Sequence, residues 1–107
     1  MKYLIRLIYV KFYKMPTVDR FNGIKVHIYN GEHRPPHIHA VYNEYEVLID
    51  IEKCVIYSGG LPVRQLKMAR AWLADNSDWA LALFYELNPN LQWEKRWKFR
   101  ELLKLTG

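Results

Sequence analysis

The first half of the chain alternates apolar and polar positions in short runs, a pattern typical of half-buried strands joined by tight turns. Strands are predicted over Thr17–Phe21 and Ile24–Tyr29, on either side of Asn22-Gly23. This residue pair best supplies the positive φ angles of a type I′ turn. The two-residue turn sets a register that pairs Phe21 with Ile24, Asp19 with Val26, and Val18 with His27.

A second hairpin is predicted from the same alternation. Its strands cover His37–Tyr42 and Tyr45–Ile51, joined by a two-residue loop. The register turns His37 and His39 away from the core. It also sets His37 opposite Asp50, with Cβ atoms about 4.5 to 5.5 Å apart.

The remaining pattern predicts a further strand at each side of these hairpins and then helices. Strands are expected over Tyr3–Phe12 and over Lys53–Tyr57, the latter ended by residues 58–60. A helix opens at Leu61-Pro62 and puts Val63, Leu66, Ala69 and Leu73 on one apolar stripe. Asn76-Ser77 is expected to break it, with Ser77 capping a second helix over residues 78–87. Strands before helices indicate an α+β domain, an antiparallel meander of four to five strands packed against a C-terminal helical pair.

Length and composition fit one folded domain in a reducing compartment. The chain has 107 residues, half of them hydrophobic, and one cysteine, Cys54, which the burial statistics predict to be a small buried hydrophobe. A lone thiol is typical of cytoplasmic proteins, so a cytoplasmic location is expected. Arg6 and Lys11 interrupt the apolar N-terminal run, and neither a signal peptide nor a membrane span is predicted.

The net charge of +5 is concentrated at the two ends of the chain. Residues 1–14 hold four basic residues and no acid, and residues 91–107 hold five basic residues and two acids. The helix-compatible tail Leu91–Leu105 interleaves tryptophans with basic residues. This weave suits either stacking on a single-stranded nucleic acid or packing on the domain or a second copy of the chain.

The most distinctive chemistry is the run of residues 33–39, which contains three of the four histidines. Histidine serves as acid, base or ligand near neutral pH. On the predicted strand face, His37 and His39 are candidate catalytic residues. Asp50 is predicted to orient His37, as a carboxylate orients the base in general base sites.

Three neighbours are candidate binding residues, and neither a metal nor another cofactor is predicted. His33 and Arg34 precede the strand, and a guanidinium such as that of Arg34 suits an anion. Glu46 lies on the same predicted face as His39. Two histidines spaced i, i+2 lack a convincing third metal ligand, although His33, Glu46 or Asp50 could be added.

Three motifs together carry a resemblance to a known family. They are Met15-Pro16-Thr17-Val18, the hairpin about Asn22-Gly23, and Pro35-Pro36-His37-Ile38-His39. With the helices that follow, they resemble the small bacterial domain-of-unknown-function family 4160. The resemblance implies the toxin half of a two-gene toxin–antitoxin type module, encoded beside a small partner of domain-of-unknown-function family 2442. On the matched motif, His37 and His39 are the functional positions that it implies.

The resemblance also divides the chain into three parts. Residues 15–88 form the α+β domain, residues 1–14 an N-terminal extension or extra strand, and residues 89–107 a basic aromatic helical tail. No nucleotide-binding glycine loop, nucleophile elbow or Cys-x-x-Cys pair is present in the sequence.

Three functions stay open at this point. The first is a toxin-like factor directed at RNA through His37 and His39. A second is a non-catalytic module that binds a protein or a nucleic acid. The third is a subunit that forms a homo-oligomer through the first strand and the tail, with incidental histidines.

Overall fold

The computed structural model describes residues 17–91, which form an antiparallel five-stranded sheet followed by one long helix. The strands lie side by side in chain order, so the predicted meander and the α+β class are confirmed. The elements are β1 (Thr17–Phe21), β2 (Ile24–His27), β3 (His37–Tyr42), β4 (Tyr45–Asp50), β5 (Ile56–Gly60), α1 (Val63–Leu87) and a short 3-10 helix (Pro89–Leu91).

The β1–β2 hairpin turns at Asn22 and Gly23, both with positive φ angles of 48° and 78°. Phe21 pairs with Ile24 and Asp19 with Val26, as the sequence predicts. Beyond Asp19 the register shifts, so Thr17 rather than Val18 pairs with His27. A β-bulge of this kind adds one residue to a strand. Val18, at the bulge, is buried in the core.

The β3–β4 hairpin has the predicted register along its whole length. His37 pairs with Asp50, His39 with Leu48, and Val41 with Glu46. The intervening Ile38 and Ala40 are fully buried on the opposite face. His37 and His39 alternate with these residues along β3. The prediction that His37 stands away from the core is wrong, because it is buried and its ring centroid lies 5.7 Å from that of the core residue Phe84 of α1.

The fifth strand begins later than predicted. Lys53 lies in a turn, because Asp50 Oδ1 accepts hydrogen bonds from the backbone N–H groups of Glu52 and Lys53, each at 2.9 Å. Cys54 in that turn is half-buried with a φ of 56°, not enclosed as a core residue. The glycines expected to end the strand instead belong to it, and Gly59 pairs with Val47.

The predicted helical pair is wrong: α1 passes through Asn76-Ser77 as one helix. Asn76 does not end the helix because its side chain finds partners inside it. Its Nδ2 group donates to the Trp72 carbonyl at 2.7 Å, and its Oδ1 accepts from Trp79 Nε1 at 2.6 Å. The predicted stripe is also shifted at its start, since Val63 is 71% exposed while Trp72 is buried.

The core lies between α1 and one face of the sheet. Fully buried side chains from β2, β3 and β4 meet the helix face that carries Ala69, Leu73, Leu83 and Phe84. At the β1 end, Trp72 Nε1 donates to Asp19 Oδ2 at 2.7 Å, which ties the helix to the first hairpin. The other sheet face, called the outer face below, carries the histidines of β2 and β3.

Several predictions fall on residues outside 17–91. These are the strand Tyr3–Phe12, the Met15-Pro16 start of the family motif and the tail after Leu91, and they stay predictions. Within residues 17–91, no helix combines the length and the apolar character that crossing a bilayer requires.

Candidate functional site

All four histidines gather at one end of the outer face and in the loop beside it. His27 pairs with His39 across β2 and β3. The ring centroids of His37 and His39 are 5.2 Å apart, and those of His33 and His37 are 5.7 Å apart. The predicted pairing of His37 and His39 on one face is therefore met, and the loop before β3 adds His33 to their surroundings.

His37 is a buried imidazole, only 1% exposed, with its ring against Phe84 of α1. Its Nδ1 lies 2.7 Å from the Pro35 carbonyl oxygen. A carbonyl only accepts, so Nδ1 carries the proton and donates it. The other nitrogen, Nε2, is buried without a hydrogen-bond partner among the described residues, although Glu32 Oε2 lies 3.2 Å away.

His39 lies between two carboxylates. Its Nδ1 is 3.0 Å from Glu46 Oε2, and its Nε2 is 3.1 Å from Glu32 Oε1. Glu32 thus places one oxygen beside each imidazole. We call these three residues the Glu32–His37–His39 cluster; one ligand atom of each can be chosen so that all lie within 4.8 Å of one another.

Glu32 is the functional residue that the sequence reasoning missed. It lies in the loop between β2 and β3, where its N–H donates to Asn88 Oδ1 at 2.7 Å. Asn88 is 1% exposed, and its Nδ2 donates to the carbonyl oxygens of Tyr29 and Phe84 at 3.0 and 2.8 Å. The turn signal of Asn30-Gly31 marks this loop, but the contact that fixes Glu32 spans 56 positions of the chain.

Aromatic rings surround the cluster. Tyr29 meets the His39 ring edge-on at 4.6 Å between centroids, and Tyr57 lies 5.5 Å from His37 and 6.0 Å from His33. Burial raises the pKa of Tyr29, and the charges of Glu46 and Glu32 add to that effect. The hydroxyl of Tyr29 is therefore held neutral over a wider pH range than usual.

His27 lies beside the cluster rather than in it. Its Nδ1 hydrogen-bonds the Thr17 hydroxyl at 2.9 Å. Burial lowers the pKa of His27, and the neighbouring His39 and Lys25 lower it further. Its ring is thus favoured in the neutral form at neutral pH.

Of the predicted catalytic residues, Asp50 has the expected position and a different set of contacts. It is paired with His37 in the sheet, yet its Oδ1 accepts from the backbone of the turn that follows β4. The oxygen that meets His37 Nδ1 belongs to Pro35. An orienting role for Asp50 stays a prediction.

The predicted binding residues divide into two groups. Glu46 contacts His39 directly, and His33 is exposed beside Tyr57, whose hydroxyl lies 3.4 Å from His33 Nδ1. Arg34 is turned toward the end of α1, where its NH2 group donates to the Tyr85 hydroxyl at 3.5 Å and the Leu91 carbonyl at 3.4 Å. The guanidinium of Arg34 therefore helps to hold the loop.

Two imidazoles and a carboxylate in this arrangement can move protons or bind a cation. A general base is usually oriented by a further hydrogen-bonding group, and both histidines have such neighbours. A pair of imidazole nitrogens with one carboxylate is also a common metal-ligand set. Both chemistries make the cluster the candidate functional site of the described residues.

Comparison with known proteins gives one match. A family model described as a domain of unknown function, DUF4160, matches residues 23–84. That range spans β2 to the last turn of α1 and includes the whole cluster. No curated protein matches the chain, and no solved structure does.

Proposed function

The chain belongs to the DUF4160 family, and we propose that it is the toxin-like component of a two-gene module, with its activity carried by the Glu32–His37–His39 cluster. The observation that supports a working site there is the buried Nε2 of His37, which has no hydrogen-bond partner among the described residues. Burying such a nitrogen costs free energy unless something satisfies it. A second molecule that completes the site is the simplest reason to keep it.

The reaction class we propose is hydrolysis or another group transfer in which water or a hydroxyl is activated. His39, held between two carboxylates, and His37, held by a carbonyl, are both fixed in orientation as such chemistry requires. Incidental surface histidines do not need these contacts. The geometry therefore favours a chemical role for the two histidines over the hypothesis in which they are incidental.

RNA is the target class that fits the charges on the outer face. Arg20 and Lys25 are exposed, pair across β1 and β2, and both lower the pKa of His27 through their charge. They form a positive strip beside His27, which pairs with His39 across β2 and β3. Phosphate groups of a nucleic acid are attracted by such a strip.

The partner we propose is a small antitoxin-like protein, of the family 2442 type that the resemblance implies. Among residues 17–91, β5 has a paired neighbour on one side only, and Val55, Ile56 and Tyr57 there are 41–48% exposed. An apolar sheet edge of this kind is a common place for a partner strand. Because Tyr57 also contacts His33 and His37, a partner on β5 would cover the site.

The test is expression of the chain alone and with the product of its neighbouring gene. We expect growth arrest, relief by the partner, and loss of arrest in a His37→Ala, His39→Ala double variant. His27→Ala, on the same face but outside the cluster, is the matched control and should still arrest growth. Arrest that survives the double variant would contradict the proposed role of the cluster.

A non-catalytic binding module and a homo-oligomer are the competing outcomes. Salt-sensitive RNA binding without turnover, unchanged in the double variant, would support the binding module. The oligomer hypothesis depends on segments outside residues 17–91. It predicts that the chain becomes monomeric when residues 1–14 and 91–107 are deleted.

A further inference from the structure

The geometry points to a divalent transition-metal ion, of the zinc class, held by Glu32, His37 and His39. This inference rests on the proposed function and deepens it, because it names a cofactor for the same cluster. With the ion held, the two histidines would serve as its ligands, and the ion would activate the water that the proposed reaction uses. It starts from the nitrogens that the two imidazoles leave free. The sequence alone does not predict it, since Glu32 is the ligand that completes the set.

His37 presents a bare lone pair to a carboxylate. Its Nδ1 proton is committed to the Pro35 carbonyl, so in the neutral ring Nε2 is an acceptor. Glu32 Oε2, 3.2 Å away, is also an acceptor. Two acceptors at that distance repel each other unless a proton or a cation lies between them.

A proton on His37 Nε2 does not resolve this contact. No hydrogen bond forms from that nitrogen to Glu32, so the carboxylate oxygen lies off the direction in which an Nε2–H group would point. A protonated ring would therefore keep a buried, unsatisfied N–H. A metal ion bound to His37 would lie along the direction of the Nε2 lone pair, and its other ligands would lie to the side of that direction. The Glu32 oxygen has such an off-axis position.

His39 differs from His37, because its Nε2 has hydrogen-bond geometry to Glu32 Oε1, and a metal ion would replace that hydrogen bond. If its Nδ1–H donates to Glu46 at 3.0 Å, its Nε2 lone pair faces the second oxygen of Glu32 at 3.1 Å. Metal-bound histidines are usually held in this way, with the distal N–H donated to a carboxylate or a carbonyl. Both kinds of hydrogen-bond acceptor occur here, the carboxylate of Glu46 for His39 and the carbonyl of Pro35 for His37.

The distances match the size of a metal site. Zinc binds imidazole nitrogen and carboxylate oxygen at about 2.0 to 2.2 Å, which places neighbouring tetrahedral ligands about 3.4 Å apart. The two nitrogen–oxygen distances of 3.1 and 3.2 Å are close to this value. Small side-chain rotations suffice to bring the ligand atoms, all within 4.8 Å, around one ion.

The ligand types and their exposure indicate what the ion would do. Two imidazoles favour zinc and its transition-metal neighbours over magnesium or calcium, which prefer oxygen ligands. Three protein ligands leave a fourth position open, as in catalytic zinc sites. The His37 side chain is fully buried, but those of His39 and Glu32 are 13% and 19% exposed, so water can reach that position.

The test uses the full chain, stripped with a chelator and titrated with Zn²⁺ by calorimetry and with Co²⁺ by absorption spectroscopy. We expect one ion per chain, the intense visible bands of a four- or five-coordinate Co²⁺ site, and no comparable binding of Mg²⁺. Glu32→Gln and His39→Ala should each lower the Zn²⁺ affinity at least about 100-fold, and Glu46→Gln about tenfold. His27→Ala is the control with unchanged affinity.

Glu32→Gln and His39→Ala are preferred to His37→Ala because both positions are partly exposed and the variants should fold. The metal site would be overturned if the chain bound no stoichiometric ion, or if these two variants bound Zn²⁺ with the affinity of the parent chain. Zinc binding without growth arrest would reject the toxin proposal and keep the site. Growth arrest by a chain that binds no ion would reject the metal site and keep the toxin proposal.

Discussion

Single residues in this protein are placed by backbone demands as much as by side-chain contacts, and His37 illustrates the point. Its ring orientation comes from a carbonyl two residues earlier in the chain, at 2.7 Å. Pro35 lies in the loop before β3, outside the strand pairing that begins at His37. Asp50, which the sequence predicts to orient His37, accepts hydrogen bonds from the following turn through Oδ1, and its orienting role stays a prediction.

Gly59 has a similar backbone role in β5, and its replacement should be costly. Its φ of +71° is unfavourable for any residue with a Cβ, and an added Cβ would clash with the Glu46 carbonyl oxygen. We expect Gly59→Ala to lower the free energy of unfolding by about 3 kcal/mol, from left-handed strain and displacement of β4. Urea denaturation measures the effect.

Gly60→Ala is the matched control for that experiment. A Cβ at Gly60 meets no atom within 4 Å. The free energy of unfolding of Gly60→Ala should stay within about 0.5 kcal/mol of the value for the parent chain. Equal losses in the two variants would show that the backbone conformation at Gly59 is not the reason.

At the scale of elements, the hairpins follow from local signals and the helix boundary does not. Asn22-Gly23 and the alternation around it specify the turn and the pairing next to it, so the sequence predicts the β1–β2 register correctly as far as Asp19 and wrongly beyond it. The β3–β4 register is predicted correctly along its whole length. Asn76-Ser77 carries an equally strong local signal for a break. The signal is overridden because Trp72 and Trp79 satisfy both ends of the Asn76 amide.

The Glu32–His37–His39 cluster also contains members that local sequence signals predict and one that they do not. His37 and His39 share a face because of strand periodicity, which is local and predictable. Glu32 joins them through a loop held by Asn88, a contact between residues 56 positions apart. Periodicity carries no information about such a contact. The third member of the set therefore emerges only from the folded chain.

The continuity of α1 can be tested with two neighbouring alanine variants. Asn76→Ala removes the acceptor of the buried Trp79 Nε1, so we expect a loss of about 1 to 3 kcal/mol in unfolding free energy. Ser77→Ala should be neutral or slightly stabilising, because alanine has the higher propensity inside a helix. Thermal or urea unfolding gives both values.

The same pair of variants would also reveal a broken helix. If Ser77 capped a second helix, Ser77→Ala would cost about 1 kcal/mol, and Asn76→Ala would lose no tryptophan contact. That reversed order of stabilities would contradict a single continuous α1.

At the scale of the whole described chain, the site joins the loop before β3, β3 itself and the end of α1. The Glu32 loop and the end of α1 meet at Asn88, while the histidines belong to β3. Arg34 adds a second link, through the Tyr85 hydroxyl and the Leu91 carbonyl. Docking of the helix end on the sheet therefore sets the position of the carboxylate relative to the two imidazoles.

Asn88→Ala should therefore affect both stability and the site. The variant leaves the N–H of Glu32 and two carbonyl oxygens without their buried partner, which we expect to cost about 3 kcal/mol of unfolding free energy. Because Glu32 is no longer held, the folded variant should also bind Zn²⁺ about tenfold more weakly. Denaturation and calorimetry on the same sample measure the two effects.

Asn90→Ala, at an exposed position in the 3-10 helix, is the control and should change neither quantity. The two readouts separate a positioning role from a merely structural one. If Asn88 served only stability, the folded fraction of Asn88→Ala would bind Zn²⁺ with the affinity of the parent chain. A parallel loss of affinity would instead mean that the helix end holds the Glu32 carboxylate where the two imidazoles can share an ion with it.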